Sequence, residues 1–176
     1  ASCHDPGLQW SEAKGLSRGH SKLSRHSPHL WNQAYARWFY WDGRKDSLWS
    51  QALSPIEATA EMDFSRTELA HYIFKNPSLK SLYEKTFGNM PDISDLSRFP
   101  LRAKPESGDP EDPVYWAWFK MDYDDKRTIN RIFANTGKAI EAFERKLIST
   151  NSNFDFFAKD LFENKIESAY MSESAQ

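Results

Sequence analysis

The strongest constraint on the fold is a run of mostly apolar side chains that recurs every three or four residues between Thr128 and Ile148. This spacing places the side chains on one face of an α-helix. Gly137 lies on the same stretch, and we expect it to allow close packing against a neighbour. No segment of useful length shows the apolar–polar alternation of a strand. The pattern therefore predicts an all-α class, with a helical face made of Ile129, Ile132, Phe133, Thr136, Ile140, Phe143 and Leu147.

Capping residues indicate shorter helices upstream. Ser65 and Glu68 have the spacing of a capping box, in which each side chain satisfies a backbone N–H of the other residue. Asn76-Pro77 separates this helix from a second one, which Gly88 is expected to close. Asp46 or Ser47 is expected to begin another helix that runs through Ala52 and ends at Pro55.

The rest of the chain has few helical signals. Residues 5–30 are rich in glycine, serine, histidine and basic residues and are expected to form a loop with at most short helical turns. Residues 88–114 hold five of the nine prolines and are expected to form a long surface loop that can fold over a neighbour. Another helix is expected to begin near Phe154 and continue through Phe157 and Leu161.

Composition excludes several classes of protein. The 23 basic and 25 acidic residues nearly balance, which leaves no polybasic surface for nucleic acid. No apolar stretch approaches the roughly 20 residues of a membrane span. Aromatic residues make up 15% of the chain, far more than a disordered protein carries. The single cysteine excludes an internal disulfide framework and an all-cysteine zinc site.

That cysteine, Cys3, stands directly before His4. If another cysteine preceded Ala1, the run would read C-x-x-C-H, the signature of covalent haem c attachment. In such a motif the thiols bind the porphyrin and the histidine ligates the iron. Taken alone, the Cys-His pair is weak evidence, and an ordinary surface pair is the alternative.

Several segments downstream stand in an order shared with a known family. They include Arg25 to Asn32, Trp41 to Arg44, Gln51 to Pro55, Glu61-Met62 and Ala139 to Ile148, and Asp5-Pro6 follows Cys3-His4. With these segments the chain resembles the bacterial di-haem cytochrome c peroxidases, which include the relative that matures methylamine dehydrogenase. The resemblance implies an all-α, cytochrome c-like haem domain with long loops.

The resemblance also implies a domain organisation. Residues 1–150 would form the N-terminal, peroxidatic haem domain, and residues 151–176 would begin the connection to a second haem domain. In the family a second C-x-x-C-H follows the region that resembles Phe143 to Phe162, and none occurs before Gln176. We therefore expect this chain to be the first haem domain without its first cysteine and its partner domain.

Five residues match the haem site of the family. The resemblance implies that His4 is the proximal iron ligand and that Cys3 supplies one thioether to haem c. Glu61 matches the distal acid that moves a proton during cleavage of the O–O bond. Gln51 and Pro55 match positions that line the same pocket. The structural alternatives are a solvated glutamate, a glutamine at a helix end and a proline that stops the helix.

Trp41 matches the indole that lies between the two haems of the family and helps electrons pass between them. Its alternative is ordinary core packing, because tryptophan is a frequent aromatic anchor. The other tryptophans considered have no such match and are interpreted as core or interface residues: Trp31, Trp38, Trp49, Trp116 and Trp118.

The four histidines other than His4 have three different expected roles. His20 is the candidate for a resting-state distal ligand that some family members carry in this loop. His26 occupies the place where many members have an asparagine that binds calcium between the domains, and a neutral imidazole is a poor ligand for that ion. His29 and His71 are interpreted as loop and helix-surface residues.

The resemblance implies reduction of hydrogen peroxide to water in the periplasm, with electrons from a small cytochrome c or a cupredoxin. One alternative is an oxidase-like branch, related to the methylamine-utilisation proteins, that modifies a partner protein. A second alternative is a haem domain that only transfers electrons. A third is a helical remnant that binds no haem.

Overall fold

The computed structural model describes residues 3–106, 109, 111–164 and 170–172. Two short 3₁₀ turns, Pro6–Leu8 and Gln33–Tyr35, precede the α-helices. The predicted all-α class is confirmed, because the described residues form helices and only isolated β-bridges. The helices are α1 Leu48–Glu57, α2 Arg66–Lys75, α3 Pro77–Phe87, α4 Pro113–Lys120, α5 Tyr123–Glu144 and α6 Asn153–Phe162. Among these residues no helix combines the length and the apolar character that crossing a bilayer requires.

The centre of the fold is α5, against which α1 and α2 pack. Gly137 makes the contact with α1 close, because a Cβ there would lie 2.6 Å from the Trp49 carbonyl oxygen. Leu53 and Ile56 of α1 meet Phe133 of α5 in a small core cluster. The expected role of Gly137 in close packing is confirmed.

The α5 helix is displaced toward the N-terminus relative to the prediction. It begins at Tyr123, because the Asp122 side chain accepts from the N–H of Asp124 over 2.9 Å and so caps the helix. It ends at Glu144, short of the predicted Ile148. The error at the start of the helix arises because the first turn is polar, and apolar spacing cannot show where a solvated helix begins.

The capping signals of α2 and α3 are confirmed. Ser65 accepts from the Glu68 N–H, and the Glu68 carboxylate accepts from the Ser65 N–H, as a capping box requires. Asn76 caps α3, and Gly88 follows the last residue of that helix with a φ of 86°.

Pro55 does not end α1, contrary to the prediction. It lies inside the helix, which continues to Glu57. The helix survives because Leu53 and Ile56 are buried against α5, which offsets the hydrogen bond that proline cannot donate. The missing N–H is the one that would have bonded to the Gln51 carbonyl oxygen.

The proline-rich segment folds over α2, as expected for part of residues 88–114. Met90, Ile93 and Phe99 of this segment are buried in the main core, the large cluster of buried apolar side chains to which α2, α3, α4 and α5 also contribute. His71, interpreted from the sequence as a helix-surface residue, is buried as a result, and its Nε2 lies 3.0 Å from the Phe99 carbonyl oxygen. The end of the segment also holds a helix that the sequence reading missed, α4, which Asp112 caps and Pro113 begins.

Candidate functional site

The Cys3-His4 segment turns back on itself within a few residues. The Asp5 side chain accepts from the Gly7 N–H over 2.8 Å and caps the first 3₁₀ turn. The chain then returns, so that the Trp10 carbonyl oxygen lies 3.4 Å from His4 Nδ1. The Trp10 ring is itself fixed by an edge contact with Phe143 of α5, with 5.5 Å between centroids.

This geometry favours one tautomer of the His4 imidazole. In the tautomer with hydrogen on Nδ1, that N–H donates to the Trp10 carbonyl and Nε2 offers its lone pair. Burial lowers the pKa of His4, although the Trp10 carbonyl and the charge of Glu12 oppose the shift. A neutral imidazole is the form that ligates iron.

Glu61 lies in the turn that follows α1. Its N–H donates to the Ala58 carbonyl over 2.9 Å, and the next N–H, of Met62, donates to the Pro55 carbonyl over 3.2 Å. Burial raises the pKa of the Glu61 carboxyl, and the Arg44 guanidinium partly opposes that shift. The half-buried carboxyl is therefore easier to protonate than a solvated glutamate.

The Glu61 side chain borders a cavity of about 690 Å³ between α1 and α5. Its polar rim includes the cations Arg44, Lys45 and Arg66, and Phe133 contributes to its apolar wall. Arg66 is held by Glu57 at 2.5 Å and lies over the Phe133 ring at 4.8 Å. The lining also includes the acids Glu57 and Glu106, so polar and charged groups of both signs surround the Glu61 carboxyl.

Tyr40 belongs to this cavity and was not singled out by the sequence reading. The Arg44 guanidinium lies over its ring at 3.4 Å, and burial raises the pKa of the Tyr40 hydroxyl. That hydroxyl is buried beside Ser54 and Gln51 without hydrogen-bond geometry to any described residue. Only its place directly before Trp41 could have pointed to it.

Gln51 and Pro55 lie one helical turn apart on α1 and share a face of that helix. Both are partly buried. Gln51 lies close to Tyr40, and Pro55 accepts the N–H of Met62, the residue after Glu61. Neither residue is among those that line the Glu61 cavity, and both reach it only through Tyr40 and this turn.

Trp41 is presented on the surface in a fixed orientation. Its side chain is 66% exposed, which contradicts the alternative of core packing. The indole Nε1–H donates to the His26 carbonyl over 2.8 Å. Its neighbour Asp42 binds both Arg25 and Arg44, and these hydrogen bonds lower the pKa of the Asp42 carboxyl to about 2. The turn at Gly43, with a φ of 68°, agrees with the turn signal of Asp-Gly.

The remaining tryptophans fall into different environments. Trp118 is buried in the main core, and Trp49 packs against the α1–α5 cluster. Trp31 is partly buried, whereas Trp38 and Trp116 are 63% and 43% exposed. Trp38 and Trp116 are therefore not core residues, and for them only the interpretation as interface residues remains.

His20 reaches the site through its backbone. Its side chain is exposed, while its N–H donates to the Glu61 carbonyl over 2.7 Å. The neighbouring Ser21 N–H donates to the Ala60 carbonyl over 3.0 Å. Its role as a distal ligand stays a prediction.

Glu12 is a second residue that the sequence reading missed. It is 8% exposed, and its Oε1 accepts from the Ser17 hydroxyl and, over 2.8 Å, from the Ser27 N–H. Burial raises its pKa, but these hydrogen bonds outweigh burial and the net pKa is lowered. The carboxylate ties the two ends of the 12–27 loop, and His26 Nε2 lies 3.4 Å from the Glu12 carbonyl oxygen.

The residues present fit a haem c group. Cys3 and His4 are adjacent, and the His4 Nε2 is not used by the Trp10 contact. Tyr40, whose hydroxyl has no hydrogen-bond partner among the described residues, lines the Glu61 cavity, whereas Cys3 and His4 do not. Among the described residues no hydrogen bond joins His4 to Glu61. The 12–27 loop lies between them, because Glu12 acts electrostatically on His4 and the His20 N–H donates to the Glu61 carbonyl. The described part of the chain also has no cluster of three histidine, cysteine, aspartate or glutamate side chains arranged for another metal. Calcium at His26 stays untested.

Comparisons with known proteins identify a family. A family model described as di-haem cytochrome c peroxidase matches residues 1–105. The methylamine utilization protein MauG of Methylorubrum extorquens is 39% identical over 93 residues, which is 51% of this chain and 26% of that protein. The cytochrome c551 peroxidase of Pseudomonas aeruginosa is 29% identical over 161 residues, which is 89% of this chain and 35% of that protein.

A solved structure shares the fold. The crystal structure of the diheme peroxidase BthA from Burkholderia thailandensis matches with a TM-score of 0.61 and 20% identity over 89% of this chain and 36% of that one. The chain therefore spans about a third or less of the length of these relatives, from 26% to 36%. Because the family model covers more than half of the chain, this protein belongs to the di-haem cytochrome c peroxidase family.

Proposed function

We propose that this chain is the peroxidatic haem domain of an enzyme that reduces hydrogen peroxide to water. The observation that carries the proposal is the half-buried Glu61 carboxyl, whose pKa is raised, at the edge of a cavity that also holds Arg44 and Tyr40. Residues 1–150 form the domain in this proposal, and residues 151–176 lead toward a second haem domain. Parts of that second segment, 165–169 and 173–176, lie outside the described residues.

His4 and Cys3 are the residues that would hold the haem. When bound, the haem would supply a redox-active iron for the reduction of peroxide. A second cysteine before Ala1 belongs to the proposal, although Ala1 and Ser2 lie outside the described residues. Arg44 and Lys45 line the cavity and would be partners for the carboxylates of the haem.

Glu61 would act on the peroxide as base and then as acid. Its carboxylate would accept a proton from one oxygen atom of the peroxide and return it to the other, which would leave as water. The complete reaction is H₂O₂ + 2 e⁻ + 2 H⁺ → 2 H₂O. Gln51 would orient water in the pocket, and Pro55 would limit access to it. Because burial raises the pKa of Glu61, the group can exchange protons nearer neutral pH.

Electrons would reach the site from a small cytochrome c or a cupredoxin through the second haem domain. Trp41 is exposed and held by the His26 carbonyl, which suits a ring that faces a second domain. The fit to haem c attachment supports a periplasmic location. His20 is proposed as a resting-state ligand, and this role requires its exposed side chain to turn inward. Calcium between the domains stays open, with His26 in place of the usual asparagine.

A second candidate function is modification of a partner protein by a relative of the methylamine-utilisation proteins. It is favoured by the 39% identity to MauG, which exceeds the 29% identity to the peroxidase from Pseudomonas aeruginosa. The third candidate function is a domain that only transfers electrons. The coordination of the iron separates this function from an enzyme. A stable six-coordinate iron indicates an electron carrier, and a five-coordinate iron that reacts with peroxide indicates an enzyme.

The deciding experiment is Glu61→Gln in the full-length, haem-loaded protein. Glutamine keeps the size and hydrogen bonding of the side chain but cannot carry the proton, so peroxide turnover should fall by at least about 100-fold, on the order of 3 kcal/mol. Haem content and helicity should hardly change. The exposed Glu111→Gln is the matched control and should keep wild-type turnover.

The pH profile sharpens the test. Wild-type turnover should rise with pH through the raised pKa of Glu61, and the Glu61→Gln variant should lack that ionisation. Wild-type turnover by Glu61→Gln would remove Glu61 from the mechanism.

A further inference from the structure

Lys104 has an unusual position for a lysine. It lies in the segment that folds over α2 and is only 2% exposed. Fully buried lysines are rare unless each N–H has a partner. The Lys104 ammonium meets this condition with acceptors at 3.0 Å, 3.3 Å and 3.4 Å, which are the Glu57 carbonyl, Asp63 Oδ1 and Thr59 Oγ1.

All three acceptors belong to the 57–63 turn, which comprises the last residue of α1 and the six residues after it. Thr59 and Asp63 lie two residues before and two residues after Glu61. Lys104 therefore spans the turn that carries Glu61, although it does not contact the Glu61 carboxyl. Three N–H donors that point to three acceptors of one turn restrict its movement in several directions.

The turn needs such support. Asp63 has a φ of 46°, a left-handed conformation that a residue with a Cβ adopts at a cost. Arg102, two residues before Lys104, also binds Asp63, with 2.8 Å to Oδ2 and 3.0 Å to the carbonyl oxygen. The strained residue is thus held by two cations of the same segment.

The opposite side of the turn is closed by the loop at Gly19. The His20 N–H donates to the Glu61 carbonyl over 2.7 Å. A Cβ at Gly19 would lie 2.6 Å from the Glu61 Cα, so the two backbones are in direct contact. Glu61 is therefore clamped between this loop and the acceptors of Lys104.

We propose that Lys104 is a positioning residue that fixes the turn bearing Glu61, and so places the carboxyl at the cavity. The inference rests on the proposed function of Glu61. Lys104 acts through the geometry of the backbone, because the charge that opposes the raised pKa of Glu61 is that of Arg44.

The test is Lys104→Met, which keeps most of the length and removes the ammonium. Its control is Arg98→Met, which breaks another ion pair of the same segment, between the exposed Arg98 and the buried Asp125 at 2.6 Å, away from the 57–63 turn. Residue-resolved hydrogen exchange is measured for the N–H groups of Glu61 and Asp63, both of which donate to the Ala58 carbonyl. Exchange is normalised to the global unfolding free energy of each variant.

In Lys104→Met these two amides should lose about 10-fold or more of their protection beyond the global change, and the His20 amide should follow. Arg98→Met should show only the global change. In the full-length, haem-loaded protein, Lys104→Met should also shift the ionisation that controls peroxide turnover, and Arg98→Met should not. If Lys104→Met does not fold, Thr59→Val removes a single acceptor of the ammonium and should give a smaller loss at the same amides.

Equal normalised protection in Lys104→Met and Arg98→Met would overturn the proposal. The two proposals fail in different ways. Loss of protection together with unchanged turnover in Glu61→Gln would keep Lys104 as the residue that fixes the turn and would reject Glu61 as the acid–base group.

Discussion

The indole Nε1–H of Trp41 donates to the carbonyl oxygen of His26 over 2.8 Å, while 66% of the side chain is exposed to solvent. An exposed ring normally samples several rotamers, whereas this one is tied to the backbone of a separate loop. The Asp42 carboxylate next to it fixes the same turn through Arg25 and Arg44. Trp41 therefore presents its ring to solvent in one orientation.

We predict that Trp41→Phe in the full-length protein slows electron equilibration between the two haems and leaves both haems bound. Phenylalanine cannot donate to His26, and its smaller π system bridges less of the gap. The rate is measured after rapid reduction of one haem. Trp38→Phe, at a ring that is 63% exposed, is the control and should keep the wild-type rate. An unchanged rate in Trp41→Phe would return the residue to a purely structural role.

We predict that Gly137→Ala destabilises the fold by about 1–3 kcal/mol, although alanine favours a helix more than glycine does. The added Cβ would lie 2.6 Å from the Trp49 carbonyl oxygen and 2.9 Å from Leu53 Cγ, so α1 and α5 must move apart. Denaturant unfolding measures the loss. Gly15→Ala, where no atom lies within 4 Å of the new Cβ, should change stability little. Equal stability of both variants would contradict the close packing.

We predict that Glu144 makes the fold less stable as the pH rises. The residue is 5% exposed, and its Oε2 has no hydrogen-bond partner in the described residues. Burial, with a smaller contribution from Glu141, raises the pKa of Glu144 from 4.5 to about 7. The folded state then binds this proton more tightly than the unfolded state, so stability falls between pH 4.5 and about 7.

Glu144→Gln removes that ionisation. Relative to wild type, the variant should gain on the order of 3 kcal/mol between about pH 4 and about pH 8. Thermal unfolding across this range measures the difference. The exposed Glu163→Gln is the control and should follow the wild-type curve. Parallel curves for wild type and Glu144→Gln would show that Glu144 titrates normally.

We predict that Glu12→Gln costs about 1–3 kcal/mol of stability and loosens the loop that carries His26. The amide can still accept from the Ser27 N–H, but its NH₂ group would occupy a buried position where Oε2 has no partner. Chemical denaturation gives the cost, and hydrogen exchange of the Ser27 N–H, which donates to the Glu12 carboxylate, reports on the loop. Glu111→Gln on the surface should leave both measurements unchanged. If Glu12→Gln matches this control, the carboxylate does not hold the loop.

The sequence alone determined the features whose cause is local. The capping box of Ser65 and Glu68, the Asn76 cap and the break at Gly88 all arise within three or four residues, and each is present in the structure. The periodic face of α5 and the close contact at Gly137 were also readable, because helical spacing decides which side chains share a face. The order of segments along the chain predicted Glu61, Gln51, Pro55 and Trp41 as site residues, and of these the structure places Glu61 at the cavity.

Only the tertiary structure decided the environments that distant segments create. Pro55 lies inside α1 because Leu53 and Ile56 pack on α5, and His71 is buried because the segment around Phe99 covers α2. Likewise Lys104 meets the turn of Glu61 across more than forty residues of chain, Tyr40 is buried beside Ser54 of α1, and Glu12 binds the Ser27 N–H fifteen residues away. Propensity and spacing act over a few residues, whereas burial and hydrogen-bond partners depend on which segments the folded chain brings together.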